Sequence, residues 1–407
     1  MYDLLRDMRI VEGSAFVAAP LCGLTLAQFG AEVIRFDAIG GGPDYHRWPL
    51  AESGQSLYWM GLNKGKKSIA IDLRREEGRE LARNLVTAPG KAGGYFVTNF
   101  PVDGFLSHEE LTKKRDDLVS VRVMGNPDGR TAVDYTVNCS VGYPDMTGAI
   151  ESAAPVNHVL PAWDLITGMS AAFGLLAAAR RRSETGKGVE LRIALSDIAF
   201  AMTANLGMLA EVALSGGDRQ RYGNAIYGAF GRDFESADGR RVMIVAITQR
   251  QWAALVAAAE IGGAVAALEK QVGSDFRDEG ARFIYRAQLE PLVEQWTKSL
   301  PYKVLAERLD ASGACWGPYQ TISEALANDP RCSLENPIFE LLAHPGVAAH
   351  LTPGSPIALH SERRLPVRPA PILGEHTDEV LANVMGLSES EIGKLHDRGL
   401  VAGPEAA

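Results

Sequence analysis

At 407 residues the chain is long enough for two or three domains with buried cores. Hydrophobic residues make up 46% of it and charged residues 22%, which excludes wholesale disorder. Lys and Arg number 41 against 50 Asp and Glu, a formal charge of −9, so no global field draws the chain to nucleic acid or to an anionic membrane.

The first residues, MYDLLRDMRIVEG, lack a basic stretch followed by an apolar one, and apolar runs such as Met169 to Ala179 are short and punctuated. The expectation is a cytoplasmic protein without a membrane span. MRIVEG reads as a strand, SAFVAAPLCGLTLAQFG as a loop and helix, and AEVIRFD as a second strand. Leu21, Leu24, Leu26 and Phe29 give the helix an apolar face, Pro20 suits its first turn and Gly30 its stop. A second round follows: KSIAIDL as strand, REEGRELARNLV as amphipathic helix, then GGYFVTNF and DDLVSVRVMG as strands. This alternation predicts an α/β fold with a mostly parallel sheet and helices on both faces.

Leu165 to Arg182 is the longest helical signal of the first half, and SETGKG ends it before the strand-like VELRIAL. The helical SDIAFAMTANLGMLAEVAL and the loop SGGDRQRYGN lead to YGAFGRDFESADGRRVMIVAI, a hairpin turning at Asp238-Gly239. A helical block from about Gln249 to Asp310 completes a smaller α+β unit. The Pro-rich tail from Gly317 to Pro371 is expected to wrap back on the first domain, with a last helix near Asp378. The expected division is therefore a large domain over 1–200, a small domain over 215–312, and a returning segment over 313–407.

Three glycine-rich stretches approach known phosphate loops without matching them. GLNKGKKS, from Gly61 to Ser68, has one residue too few between its glycines and Lys-Lys where a Lys-Ser/Thr pair belongs. The run Gly40-Gly41-Gly42 follows the second strand rather than the first. Lys64, Lys66 and Lys67 are candidates to meet a phosphate or to form a solvated cluster. NCSVG lacks the first glycine of a serine-nucleophile elbow, and no histidine pair has metal-site spacing. Cys22, Cys139, Cys315 and Cys332 are scattered without a C-x-x-C pair, as reduced thiols would be.

Asp164, between Pro161-Ala162-Trp163 and the long apolar helix, has two readings. An aspartate just ahead of a helix is commonly its N-cap. A helix N-terminus also favours an ionised carboxylate, which is what a carboxylate nucleophile must be.

Several segments, in order, resemble the family III CoA-transferases, the group of formyl-CoA transferase and carnitine CoA-transferase. They are RIVEGSAFVAAPLCGLTLAQFGAEVIRFD, LNKGKKSIAIDLRREEGRELARNLV, VTNF, MTG at 146–148, the Asp164 segment, RRRSETGKGVELRIALSD and PAPILGEHTDEVL. The resemblance implies a Rossmann-like large domain built from both chain ends, a small domain, and an interlocked homodimer. It implies Asp164 as the nucleophile that takes an acyl group from a CoA thioester. Phe16 and Val17 would lie by the thioester, Val17 standing where the family carries a glutamine gate. Ile71, Asp72, Leu73 and Arg74, with Asn99, Phe100 and Pro101, would hold the nucleotide end of CoA, and Asp134 would be an acidic position near the reacting centre.

Within the family, VEGSAFVAAPL, RFDAIGGGPDYHRWPL, VNHVLPAWD and YGNAIYGAFGRDFE resemble a branch that moves CoA between the two carboxyls of one C5 dicarboxylic acid, mesaconate. The expected partner is then the acyl-CoA thioester of that acid, with no metal and no cofactor beyond the CoA of the substrate. Arg47, with His46, is the candidate for gripping the free carboxylate, since a guanidinium binds carboxylate bidentately; a surface arginine is the alternative. An intermolecular CoA-transferase is the nearest rival. The racemase branch of the family, which uses a His with an Asp, fits less well because positions 119–150 hold no His.

Overall fold

Six short strands lie side by side in parallel: β1 (Arg9–Gly13), β2 (Glu32–Ala38), β3 (Lys67–Ile71), β4 (Tyr95–Thr98), β5 (Val119–Met124) and β6 (Val189–Ala194). The computed structural model describes residues 1–404. Central strands are buried along nearly their whole length, as expected where helices cover both faces of a parallel sheet. The helices are α1 (Ala18–Gln28), α2 (Leu57–Asn63), α3 (Glu76–Val86), α4 (His108–Thr112), α5 (Asp134–Ser140), α6 (Tyr143–Met146), α7 (Ala162–Thr185), α8 (Leu195–Asn205) and α9 (Met208–Ser215).

Farther along come β7 (Phe230–Glu235), β8 (Arg241–Ala246), β9 (Cys315–Pro318), β10 (Phe339–His344), β11 (Val347–Pro353) and β12 (Val401–Ala402). The main sheet runs β12-β3-β2-β1-β4-β5-β6, with β12 antiparallel to β3. Strand order reverses at β1 and β4, and Gly13 pairs with Thr98 there. Ligands of such sheets bind beyond the strand ends at this reversal. Phe36, Phe96, Ile69 and Leu85 centre the core beneath it.

The described residues cluster into two units. The larger takes Met1–Val141, His158–Gly216 and the chain from Pro330 on; the smaller takes Gly142–Asn157 and Gly217–Asp329. The smaller unit packs β7-β8-β9, an antiparallel sheet, against α10 (Gln249–Ala259), α11 (Gly262–Val272), α12 (Glu279–Ile284), α13 (Arg286–Lys298) and α14 (Tyr302–Ser312). Its hairpin turns through 236–240, with Gly239 at φ 78. The expected boundaries at 312 and 313 differ from these units for a structural reason: β9 pairs with β8 and keeps 315–318 in the smaller unit. The segment Gly142–Asn157 joins it too, where Arg221 donates to the carbonyls of Asp145 and Ser152.

α7, with 24 residues, is long and apolar enough by length and composition to cross a membrane, which the punctuated runs of the sequence did not suggest. Thr167, Gly168, Ala171, Ala172 and Leu175 bury one side of it, where it packs along α1 and β5.

Candidate active site

The head of α7 is built from two directions. Pro161 precedes the helix and Ala162 starts it, which puts Asp164 third in the first turn rather than at the cap. The capping reading of Asp164 is thus corrected. A carboxylate 30 positions earlier caps the helix instead: Oδ2 of Asp134 accepts from the amides of Trp163 at 2.6 Å and Asp164 at 3.1 Å. Asp134 opens α5, and Asn138, four residues on and so on the same helical face, accepts from the Trp163 indole at 3.0 Å. Asp134 is 1% exposed, and His158 Nε2 holds its other oxygen at 2.7 Å.

Burial, and after it the charge of Asp134, push the Asp164 carboxyl up to about 6. The helix N-terminus pulls the other way, but these two effects outweigh it. At neutral pH Asp164 is still mostly ionised, and more basic than a free aspartate.

Gly168 lies one turn beyond Asp164 on the same face. A Cβ there would fall 2.7 Å from the Ala18 carbonyl oxygen, so α7 crosses the start of α1 in close contact. Asp164 and Arg47 both act on Tyr58, and Arg47 lies over the Phe16 ring, so the head of α7 is linked to the Phe16–Val17 loop through Tyr58 and Arg47. Phe16 has φ 69, a left-handed conformation costly for a bulky residue, and the residue is 42% exposed. Asn99 locks the loop by accepting from the Ala15 amide at 3.1 Å and donating to the Ala15 carbonyl at 2.9 Å. Arg35 adds a bond to the Ser14 carbonyl at 2.8 Å.

Arg47 stands over two rings, 5.6 Å from the centre of Phe16 and 5.3 Å from that of Tyr58. Its loop is anchored by Asp44, which binds the buried Arg35 at 2.9 Å. His46 points elsewhere, to the Gly40 carbonyl at 3.2 Å and edge-on to Tyr45. Tyr58 is half-buried, and its hydroxyl is pushed up to about 12 by burial, with Asp164 and Asp44 adding to the rise and Arg47 opposing it. Sequence reasoning missed Tyr58 and His158. SLYWM and VNHVLPAWD carry both as ordinary residues, and only the fold brings them to this place.

The remaining expected positions line the same C-terminal sheet edge. Ile71 pairs with Val401, and Leu73 packs on the core. Asp72 is gripped by the exposed Arg74 at 2.9 Å, which holds its carboxyl below the usual range. Phe100 packs edge-on against Phe36, and the carbonyls of Phe100 and Pro101 accept from Arg122 at 2.8 Å. The structure therefore gathers Phe16, Val17, Asn99, Asp134 and Asp164, with Arg47 near them, and leaves Ile71–Arg74 two strands away.

The lysines of GLNKGKKS form neither a phosphate loop nor a solvated cluster. Lys66 is buried on both oxygens of Glu12 at 2.9 Å, and Lys67 bridges Glu32 and Glu379. Lys64 donates to the Gly61 carbonyl, and burial lowers it to about 8. Among the described residues no group of three or more His, Cys, Asp or Glu is placed to hold a metal ion.

Against known proteins, residues 5–377 match the family model of CoA-transferase family III. The chain is 52% identical, over the full length of both, to the 2-methylfumaryl-CoA isomerase of Chloroflexus aurantiacus. It is 27% identical to the succinyl-CoA:mesaconate CoA-transferase of Haloarcula hispanica, covering 93% of this chain and 95% of that one. A crystal structure of a CAIB/BAIF family protein from Brucella suis superposes with a TM-score of 0.76 at 27% identity, covering 94% of this chain and all of that one. A match that runs through nearly the whole sequence makes this protein a member of CoA-transferase family III.

Proposed function

We propose that the chain moves CoA within one molecule, from the C1 to the C4 carboxyl of 2-methylfumarate (mesaconate), with Asp164 as the nucleophile. The observation that carries this reading is Asp164 itself: a part-buried carboxylate raised to about 6 and linked through Tyr58 and Arg47 to the Phe16–Val17 loop, in a chain 52% identical to a 2-methylfumaryl-CoA isomerase.

The carboxylate attacks the C1 thioester, giving an aspartyl anhydride and CoA thiolate. The thiolate attacks the aspartyl carbonyl, giving an enzyme thioester and trapped diacid. The C4 carboxylate attacks that thioester, and CoA thiolate opens the new anhydride at C4, regenerating Asp164. Every step is acyl exchange, and atoms balance without a metal or a redox partner. Repulsion by Asp134 favours the first step, because acylation removes the charge of Asp164. Amides of the Phe16–Val17 loop are the oxyanion donors, Val17 leaves the lid apolar, and Arg47 grips the free carboxylate. His46, engaged within its own loop, supports Arg47 rather than the substrate. The nucleotide of CoA lies along Ile71–Arg74 and Asn99–Pro101. Phe100 and Pro101 offer it surface rather than acceptors, since their carbonyls are taken by Arg122.

Keeping the diacid in place makes the return attack effectively unimolecular. The four cysteines are free, which accords with a reducing cytoplasm. We also read the chain as an interlocked homodimer: Met169, Phe173 and Leu176 form an exposed apolar stripe on α7, and Phe173 is 75% exposed.

The test incubates protein with mesaconyl-C1-CoA alone and follows thioesters by chromatography and mass, with labelled free mesaconate in a parallel sample. Asp164→Ala and Arg47→Ala run beside it. The expected result is an isomer of equal mass that excludes label, abolished in Asp164→Ala and weakened in Arg47→Ala mainly through KM. Conversion only on addition of free acid, or label entering the thioester, would make the protein an intermolecular transferase, the activity named by its Haloarcula hispanica relative.

A further inference from the structure

Asp134 caps α7 with one oxygen and receives His158 with the other, and the chain re-enters the larger unit at His158. The histidine is itself held. The Tyr135 ring packs edge-on against it at 6.2 Å, and the Tyr135 hydroxyl donates to the Val159 carbonyl at 3.4 Å. A carboxylate only accepts, so Nε2 carries the proton of the 2.7 Å bond, and that bond selects which Asp134 oxygen is left for the helix. Two consecutive amides, those of Trp163 and Asp164, then depend on one oriented carboxylate. The backbone of Asp164 is thereby fixed from outside its own helix.

We propose that His158 is a positioning residue of the transfer reaction: its Nε2–H···Asp134 bond orients the carboxylate that caps α7 at Trp163 and Asp164, and so sets both the place of the nucleophile and the charge it feels. The proposal rests on Asp164 being that nucleophile. The charged group facing Asp164 is Asp134 from α5; Tyr58 from α2 also faces it, and Tyr58 in turn faces Arg47 from the preceding loop and Tyr135 from α5. His158 reaches Asp164 through Asp134. A hydrogen bond to Asp134 draws part of its negative charge away from Asp164, so losing it leaves Asp164 harder to ionise.

Two polar variants separate this role from a merely structural one. In His158→Gln the amide nitrogen can take the place of Nε2; in His158→Asn it stands nearer Nδ1 and falls short. The expected result for His158→Asn is a kcat down by about tenfold or more with KM little changed, and an acid limb of kcat moved to higher pH. His158→Gln recovers most of the rate and returns the limb toward wild type. Both variants matching wild type in rate and limb would overturn the proposal. So would equal losses in the two variants with an unmoved limb, the mark of simple destabilisation. Asp164→Ala keeps the two readings apart: an inactive Asp164→Ala with unaffected His158 variants refutes this inference alone, whereas an active Asp164→Ala refutes the reading beneath it.

Discussion

The reactivity of Asp164 is set against stability. Its folded-state pKa, about 6, lies above the unfolded value of 3.8, so the protonated form is the one the fold favours. The associated stabilisation is present below pH 4 and is lost as pH rises through 6, where the buried carboxyl must ionise beside Asp134. At neutral pH the charge costs the fold about 1–3 kcal/mol, allowing for partial solvent screening. Asp164→Asn should therefore melt higher than wild type at pH 7.5, with the difference shrinking toward zero near pH 4. Thermal melts across that range check it, and a constant difference would refute it. The sequence shows an acid at the head of an apolar helix, but not which task it has. The helix begins two residues before Asp164, and the side chain that caps it is distant in sequence. Arg47 is visible as a candidate only because it is an arginine near glycines and aromatics. That it lies over Phe16 and Tyr58 depends on Asp44 docking onto Arg35, a contact with no local signal.

At the scale of elements, the position of the nucleophile depends on how closely α7 approaches α1. Glycine within a helix is ordinarily worse than alanine by about 1 kcal/mol. At Gly168 the order is reversed, because a methyl would meet the Ala18 carbonyl oxygen at 2.7 Å and the Leu21 side chain at 3.0 Å. Gly168→Ala should destabilise the protein by about 1–3 kcal/mol and lower kcat as the crossing opens; denaturant unfolding and initial rates measure both. A stabilised variant would show that the helices can part without cost. The strands and helices around this crossing were legible, since period and caps are local properties. The buried charges were not. Nothing local in MRIVEG or AEVIRFD marks Glu12 and Arg35 as buried, yet the register pairs them directly, and Asp37 follows on the same face. Together with Lys66 and Asp44 they form a paired cluster beneath the loop that carries Arg47.

For the whole molecule, the alternation of strands and helices indicated a parallel sheet, and the sheet is there. The insertion of Gly142–Asn157 into the smaller unit left no mark in the sequence, because loops bound through carbonyls have no period. An interlocked dimer makes a physical demand that an ordinary dimer does not: threaded chains cannot part while folded. Differently tagged preparations mixed under native conditions should form no mixed dimers until both are unfolded and refolded together. Free exchange, read by native mass spectrometry, would rule the threading out.

The antiparallel pairing of Val401–Ala402 with β3 bears on how the protein is made. Thr377 bridges the two strands, accepting from the Ala70 amide and donating to the Ala402 carbonyl. A ribosome delivers β3 long before its outer neighbour, so until Val401 and Ala402 emerge the nascent chain presents an open, apolar strand edge. An edge of that kind recruits other strands. The growing polypeptide is thus prone to aggregate through this edge until that pairing forms, and holdase chaperones would find a target in chains stalled short of residue 401.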